Sequence, residues 1–293
     1  TGLLVRAPSA QMPEWGHKRG PHDVIAGAVT TTARADIGVV TSLGRMLRLP
    51  VVGLPTLTAD AVASSAGGVP LADLVALDDE EQALAIVPLD NPTVTLFLAT
   101  AWGQVKRVAH DVPSQAREWT VMRLDEHDWV VAACPVRDDV GEVVLVTDDA
   151  QLLRFPVSAV RPTGRAAGGM AGIRLADEAL VVAAAVVTDA ATAVVATVAG
   201  DFGALRGTAA RSMKVTPLSD FRGKGRGTGG VRCHRFLAGE NALILAAVGL
   251  PPLRACGSAG AAVELPAAVG KRDGSGTTLT KPIAAVCAAA LPN

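Results

Sequence analysis

The chain has 293 residues, 49% of them apolar, with 27 Lys and Arg against 28 Asp and Glu and a formal net charge of -1. That is ample material for a core, and it rules out a global basic field as a source of nucleic-acid affinity. Any such affinity has to come from charge placed on one face. Cysteines 134, 233, 256 and 287 contain no CxxC pair, which points to free thiols of a reducing cytoplasm rather than a disulfide framework or a zinc site.

In chain order, the opening "TGLLVRAPSA" has neither an initiator Met nor a signal-peptide pattern. It reads as a fragment cut from a longer chain, and no apolar run reaches the roughly 18 residues of a membrane span. "TGLLVRAP" looks like the second half of a β-hairpin. Full hairpins follow at "IGVVTSLGRMLRLP" from Ile37, "TLFLATAWGQVKRVA" from Thr95, "VVLVTDDAQLLRFP" from Val143, "AVVATVAGDFGALRGTA" from Ala193 and "LRACGSAGAAVELP" from Leu253. Each is an apolar strand, a tight turn of small or acidic residues, and a second strand that usually carries a basic residue. The turns near Gly44, Gly103, Ala150, Gly203 and Gly260 recur every 47 to 59 residues. A period near 50 is that of four-stranded propeller-type blades. The expected architecture is all-β, a single six-bladed pinwheel over 1-293. Its approximate blades are 1-29 with part of the C-terminus, 30-77, 78-126, 127-178, 179-240 and 241-293.

A second element follows each hairpin: "GHKRGPHDVIAG" from Gly16, "ASSAGGVPLADL" from Ala63, "PSQAREWTVMRL" from Pro113, "RPTGRAAGGMAGIRL" from Arg161, "FRGKGRGTGGVRCHRF" from Phe221 and "VGKRDGSGTTL" from Val269. Most are rich in Gly and basic residues. The Phe221 copy is no nucleotide-binding P-loop, because its glycines are not followed by Lys-Ser or Lys-Thr and "VRCHRF" alternates like a strand. That alternation puts Arg232 and His234 on one face and Cys233 and Arg235 on the other. Glycine lets backbone N–H groups approach phosphate oxygens, and neighbouring cations add counterion release. For one loop alone, a solvated turn is the simpler reading. For a loop recurring at one position of a cyclic repeat, the charges add along a bent track.

"FRGKGRGTGGVR", preceded by "RSMKVTPLSD", together with "VVLVTDDAQLLRFPVSAVRPTGRAAGGMAGIRL", resembles the repeat of the C-terminal domain of bacterial type IIA topoisomerase A subunits, the DNA gyrase and topoisomerase IV family. Residues 127 to 240 carry the resemblance. It implies a six-bladed β-pinwheel that bends duplex DNA around its rim and serves a breakage-reunion core and an ATPase B subunit. In gyrase the first blade bears a basic Gln-Arg-Gly box. The matching place is "GHKRGPHD": Lys18, Arg19 and Gly20 fit it, Gly16 or His17 stands where Gln belongs, and Pro21, His22 and Asp23 replace its end. Pro removes a donor and Asp opposes phosphate, which leans the reading toward a topoisomerase IV-like or divergent gyrase domain.

The candidate DNA contacts are Lys18, Arg19, Arg45, Arg48, Lys106, Arg107, Arg154, Arg161, Arg165, Arg206, Arg211, Lys214, Arg222, Lys224, Arg226, Arg232, Lys271 and Arg272. "DEHDW", Asp125 to Trp129, is an acidic turn before it is a metal site, and Cys233 next to His234 is poor spacing for two ligands of one zinc. His110 and Asp111 lack a GxSxG serine. Trp15, Trp102, Trp119 and Trp129 read as blade packing. The chain contains no Tyr, so it cannot supply the phosphotyrosyl nucleophile of type IIA topoisomerases. The expectation is an accessory, cytoplasmic, nucleoid-associated binding domain without cofactor, metal, membrane contact or catalysis of its own. The rival is a propeller-like protein-interaction module.

Overall fold

The computed structural model describes residues 2–8, 19–57, 64–109, 111–204, 209–266 and 270–288. Among them there is no α-helix, only strands and short 3-10 turns, and no helix long and apolar enough to cross a membrane.

The strands form a propeller-like ring of five blades. Blade one orders Ala83–Pro88, Asp36–Thr41, Arg45–Pro50 and Glu118–Thr120 from hub to rim. Blade two orders Val130–Arg137, Val94–Thr100 and Gln104–Val108, edged by Met170–Ala171 and, in parallel, by Pro162–Thr163. Blade three orders Val181–Val187, Glu142–Thr147, Gln151–Pro156 and Val231–Arg232. Blade four orders Ala242–Gly249, Val194–Gly200, Ala210–Pro217 and Thr277–Thr278. Blade five has three strands, Ala285–Cys287, Arg254–Cys256 and Ala262–Val263. The expectation of six four-stranded blades is corrected here. Beyond the five there is only a two-stranded sheet, Leu3–Leu4 with Val69–Pro70, among the described residues.

Four of the predicted hairpins supply the two middle strands of a blade, and the one from Leu253 supplies the middle and outer strands of blade five. Those strands are covered on both faces, so they read as unbroken apolar runs such as "EVVLVT" instead of alternating. The cores lie between blades. Phe97, Val105, Leu145, Leu153 and Phe155 form the cluster shared by blades two and three, all of them fully buried. Each such side chain contributes about 1.5–3 kcal/mol of burial. The turns close with left-handed residues, Gly44 at φ 69 and Gly103 at φ 76.

In blades one to four the rim strand belongs to the next repeat. Glu118–Thr120 follows the hairpin of blade two but pairs with blade one, and Val231–Arg232 follows the hairpin of blade four but pairs with blade three. The ring closes the same way. The His22 amide donates to Gly260 O at 2.8 Å, and Arg19 reaches Ala255 O at 2.8 Å and Val263 O at 3.3 Å on blade five. Buried Asp23 ties this seam, accepting from Arg19 at 2.6 Å and from Arg254 at 3.1 Å. Burial opposes the charge on Asp23, but the bonds from Arg19 and the Gly20 amide overcome it and hold its carboxyl below the usual range.

Candidate nucleic-acid interface

The glycine before the rim strands of blades two to four has a steric cause. A Cβ on Gly230 would lie 2.8 Å from Gln151 Cβ and 2.9 Å from the Leu152 amide nitrogen. One on Gly169 would lie 2.8 Å from Gln104 Cβ. The incoming strand runs flush against the start of its neighbour's outer hairpin strand, and no side chain fits. Close approach, rather than flexibility, sets these glycines.

Arg174 and Arg235 stand five residues beyond those glycines, and Arg123 takes the same place five residues beyond Glu118. All three are exposed. Each donates its backbone N–H to the basic loop of the following repeat: Arg123 to Ala167 O at 3.2 Å, Arg174 to Thr228 O at 3.1 Å, and Arg235 to Gly274 O at 3.0 Å. Three consecutive seams therefore join an exposed arginine to a loop carrying Arg161 and Arg165, then Arg222, Lys224 and Arg226, then Lys271 and Arg272. These loop cations are exposed except Arg165, which is half-buried with its Nε 2.8 Å from Asp111. Lys224 is fixed through its amide to Arg154 O at 2.9 Å, and the Arg226 guanidinium donates to Ala171 O. Sequence reading did not single out Arg123 and Arg174; the recurring hydrophobic-Arg-Leu step of "VMRL" and "GIRL" was the available signal.

Arg232 is exposed, as a rim residue has to be, but the strand ends there. Cys233 and His234 both turn inward, so the expected alternation through Arg235 is corrected. His234 fills the place of Met122 and Ile173. Its Nδ1 lies 2.8 Å from Thr197 Oγ1, and burial, helped by nearby Lys214, lowers its pKa to about 4.

Several other predicted contacts are engaged inside the fold. Lys106, Arg107 and Lys214 are 1%, 1% and 3% exposed, which corrects their assignment to the rim. Arg107 pairs with Asp139 and donates to Val160 O. Arg45 is clamped by Glu81 and Glu118, Arg48 by Asp36 while stacked over Trp119, and Arg154 lies beside Glu142. Burial opposes ionisation of Glu81, yet Arg45 and neighbouring hydrogen bonds hold it at about 2. Arg211 is exposed, 3.6 Å from Asp201. Gly16, His17, Lys18 and Arg206 lie outside the described residues, as do Trp15 and His110. Arg19, with Gly20 and His22, belongs to the ring seam described above.

From rim to hub the chain crosses the hairpin-turn end of each blade, and at blades one to four it is acidic there. Asp78–Glu81, Asp125–Asp128, Asp177–Glu178 and Glu240 occupy these crossings, three of which turn through a left-handed Glu80, His127 and Glu178. "DEHDW" is such a crossing: Asp128 accepts from the Trp102 amide at 3.0 Å and the Trp129 amide at 2.9 Å. Among the described residues no three metal-ligating side chains converge. Trp119 is buried, but Trp102 and Trp129 are 45% and 41% exposed, so the packing role expected of them is corrected.

The model of the DNA gyrase C-terminal domain, a beta-propeller, matches residues 141–188 and 207–235, the blades that carry the two longest basic loops. These stretches are similar to the C-terminal domains of type IIA topoisomerase A subunits. The chain is 36% identical over 140 residues to the DNA gyrase A subunit of Chlamydia pneumoniae, covering 47% of this chain and 16% of that protein. It is 27% identical over 222 residues to the DNA gyrase A subunit of Kosmotoga olearia, covering 74% of this chain and 26% of the relative. The chain thus spans only a small part of the length of the proteins it matches. In fold it is similar to the crystal structure of the C-terminal domain of DNA topoisomerase IV, with a TM-score of 0.72 over 88% of this chain and 80% of that one at 19% identity. The likeness to that structure is one of fold, a propeller-like pinwheel of small antiparallel sheets.

Proposed function

We propose that this domain binds duplex DNA along the rim of blades two to four, through phosphates and without base readout, and bends it. In the full enzyme it would present the bent segment to the breakage-reunion core of its own polypeptide, and the ATPase B subunit would be a further partner. The observation that carries the reading is the recurrence of one arrangement at three successive seams: an exposed arginine, Arg123, Arg174 or Arg235, hydrogen-bonded through its backbone to the next basic loop. Equal cations at a regular angular step make a curved track, which suits a bent duplex better than a compact ligand. Bending 20–30 bp costs of order 1–6 kcal/mol, so several phosphate contacts are needed to offset it. Blade one adds little, because Arg45 and Arg48 are neutralised by carboxylates.

At the place of the Gln-Arg-Gly box, Arg19 is turned onto Asp23. This supports bending over an arc rather than chiral wrapping around the whole wheel. The sheet of Leu3–Leu4 with Val69–Pro70 supports a sixth position in the ring and one domain over 1-293.

The test is fluorescence anisotropy with a plain duplex of about 30 bp across a salt series. Some six phosphate contacts give a log-log slope of about -5. Binding that ignores salt, or no binding, contradicts the reading. One observation favours the protein-interaction alternative: Leu43, Trp102 and Phe202, at the tips of three hairpin turns, are 45%, 45% and 76% exposed. They stand among the acidic crossings, a surface suited to a basic protein and not to DNA. A domain that leaves duplex DNA free but retains the breakage-reunion core would decide for it.

A further inference from the structure

Lys106 and Lys214 stand where the other blades have Leu47 and Leu153, in the middle of the outer hairpin strand. A lysine at a leucine site is costly unless every donor of its ammonium is satisfied. Both are. Lys106 Nζ donates to Val121 O at 2.8 Å, Arg165 O at 2.8 Å and Ala167 O at 2.6 Å. Lys214 Nζ donates to Lys271 O at 2.9 Å, Arg272 O at 2.7 Å and Gly274 O at 2.9 Å. Among the described residues neither ammonium pairs with a carboxylate. Burial lowers both to about 8, which leaves them charged at neutral pH.

The acceptors are what matters. All but one belong to the basic rim loops 165–167 and 271–274. In a trans peptide the N–H points opposite the C=O. Drawing the carbonyls of Arg165, Ala167, Lys271, Arg272 and Gly274 inward therefore turns the amides of Ala166, Gly168, Arg272, Asp273 and Ser275 outward. None of these five amides has an acceptor in a turn, loop or side chain among the described residues. Outward amides above a buried cation that is held by carbonyls and not by a carboxylate form a concave anion site. We propose that Lys106 and Lys214 are positioning residues of the DNA rim, each gathering the carbonyls of one loop beneath the surface so that the loop offers its amides and cations to a backbone phosphate.

The inference rests on the DNA reading of the preceding section. It also accounts for the repeat that lacks glycines: blade one has Leu47 at this position, and its rim segment, "PSQAREWT", carries no basic Gly-rich loop. Blade three has Leu153, and its loop is held differently, by the Lys224 amide on Arg154 O and by Arg226 on Ala171 O. Asp273, exposed in the second loop, opposes an anion there, so the Lys106 site is expected to be the stronger of the two.

The experiment is a double-mutant cycle on duplex binding at fixed salt. Lys106→Met keeps the volume and removes the ammonium. It is expected to weaken binding about tenfold and to flatten the salt slope by about one contact. In its background, Arg165→Ala should have little further effect, because the loop is already misplaced, whereas Arg222→Ala on the next loop should keep its full effect. Independent, multiplying effects of Lys106→Met and Arg165→Ala, or no effect of Lys106→Met, overturn the inference while leaving DNA binding by the unmodified domain intact. No DNA binding by the unmodified domain overturns both. If Lys106→Met does not fold, amide spectra of the unmodified domain decide. The Ala166, Gly168, Arg272 and Ser275 amides should shift on titration with duplex, and unchanged amides refute the site.

Discussion

Replacing Arg123, Arg174 and Arg235 together by Ala is the most direct trial of the rim track. Each side chain is exposed and none has a carboxylate partner among the described residues, so each substitution should change stability by no more than about 0.5 kcal/mol. Each phosphate contact contributes about 0.9 to the salt slope, so three lost contacts flatten it by about 2.7. At 0.1 M salt the same three contacts correspond to about 2.7 decades of affinity, roughly 500-fold or about 3.7 kcal/mol. The assay is anisotropy with a labelled duplex over a salt series, run beside Arg137→Ala. Arg137 is an exposed cation at the mouth of the hub cavity, away from the rim, and its loss should leave the slope as it was. A folded triple variant with an unchanged slope would refute the track. A slope lost equally in Arg137→Ala would show only that total charge matters.

Stability should fall with acid in two steps. His234 has a folded value of about 4 against 6.5 unfolded, so the unfolded chain binds the proton first. Roughly 3 kcal/mol is therefore present above pH 6.5 and lost as pH falls toward 4. Glu81, at about 2 against 4.5, contributes a similar amount that is complete above pH 4.5 and lost as pH falls through 2. Urea midpoints measured at several pH values should show both windows, with His234→Met removing the first and Glu81→Gln the second. Gly230→Ala should cost 1–3 kcal/mol by overpacking against Gln151 and Leu152, seen as a lower thermal midpoint. Asp23→Ala leaves two arginines without their buried carboxylate. It should cost about 3–5 kcal/mol and speed hydrogen exchange in residues 254–263 before the rest.

The hairpins were legible because burial on both faces writes itself as "EVVLVT" or "VTLFLAT", and because a 50-residue period is a global signal. What the period could not show is which blade receives the strand after the glycines. "TGGVR" reads as the end of its own repeat, yet it pairs with Gln151 and Leu152 of the blade before. Counting cations also failed to separate roles. Lys106 and Arg161 look alike in a sequence, but one sits in a strand packed between blades and the other on a loop, and only three-dimensional register distinguishes them. Arg45 and Arg48 lie near enough to carboxylates to be neutralised, but Glu81 is 36 residues from Arg45. Of the acidic crossings only "DEHDW" was singled out, as a turn of its own, because their common placement appears only once the inner strands are known.

The borrowing of each outer strand from downstream has a consequence for synthesis. Blades one to four are not finished when their inner strands leave the ribosome; each waits for about 30 to 45 more residues, several seconds at ordinary elongation rates. Until then the second hairpin strand offers bare hydrogen-bonding groups to any passing chain. The wait ends last at the junction around Asp23, whose partner Arg254 arrives 231 residues later. A nascent chain halted anywhere earlier would carry one unfinished blade and one unclosed end, and it should be the species that aggregates.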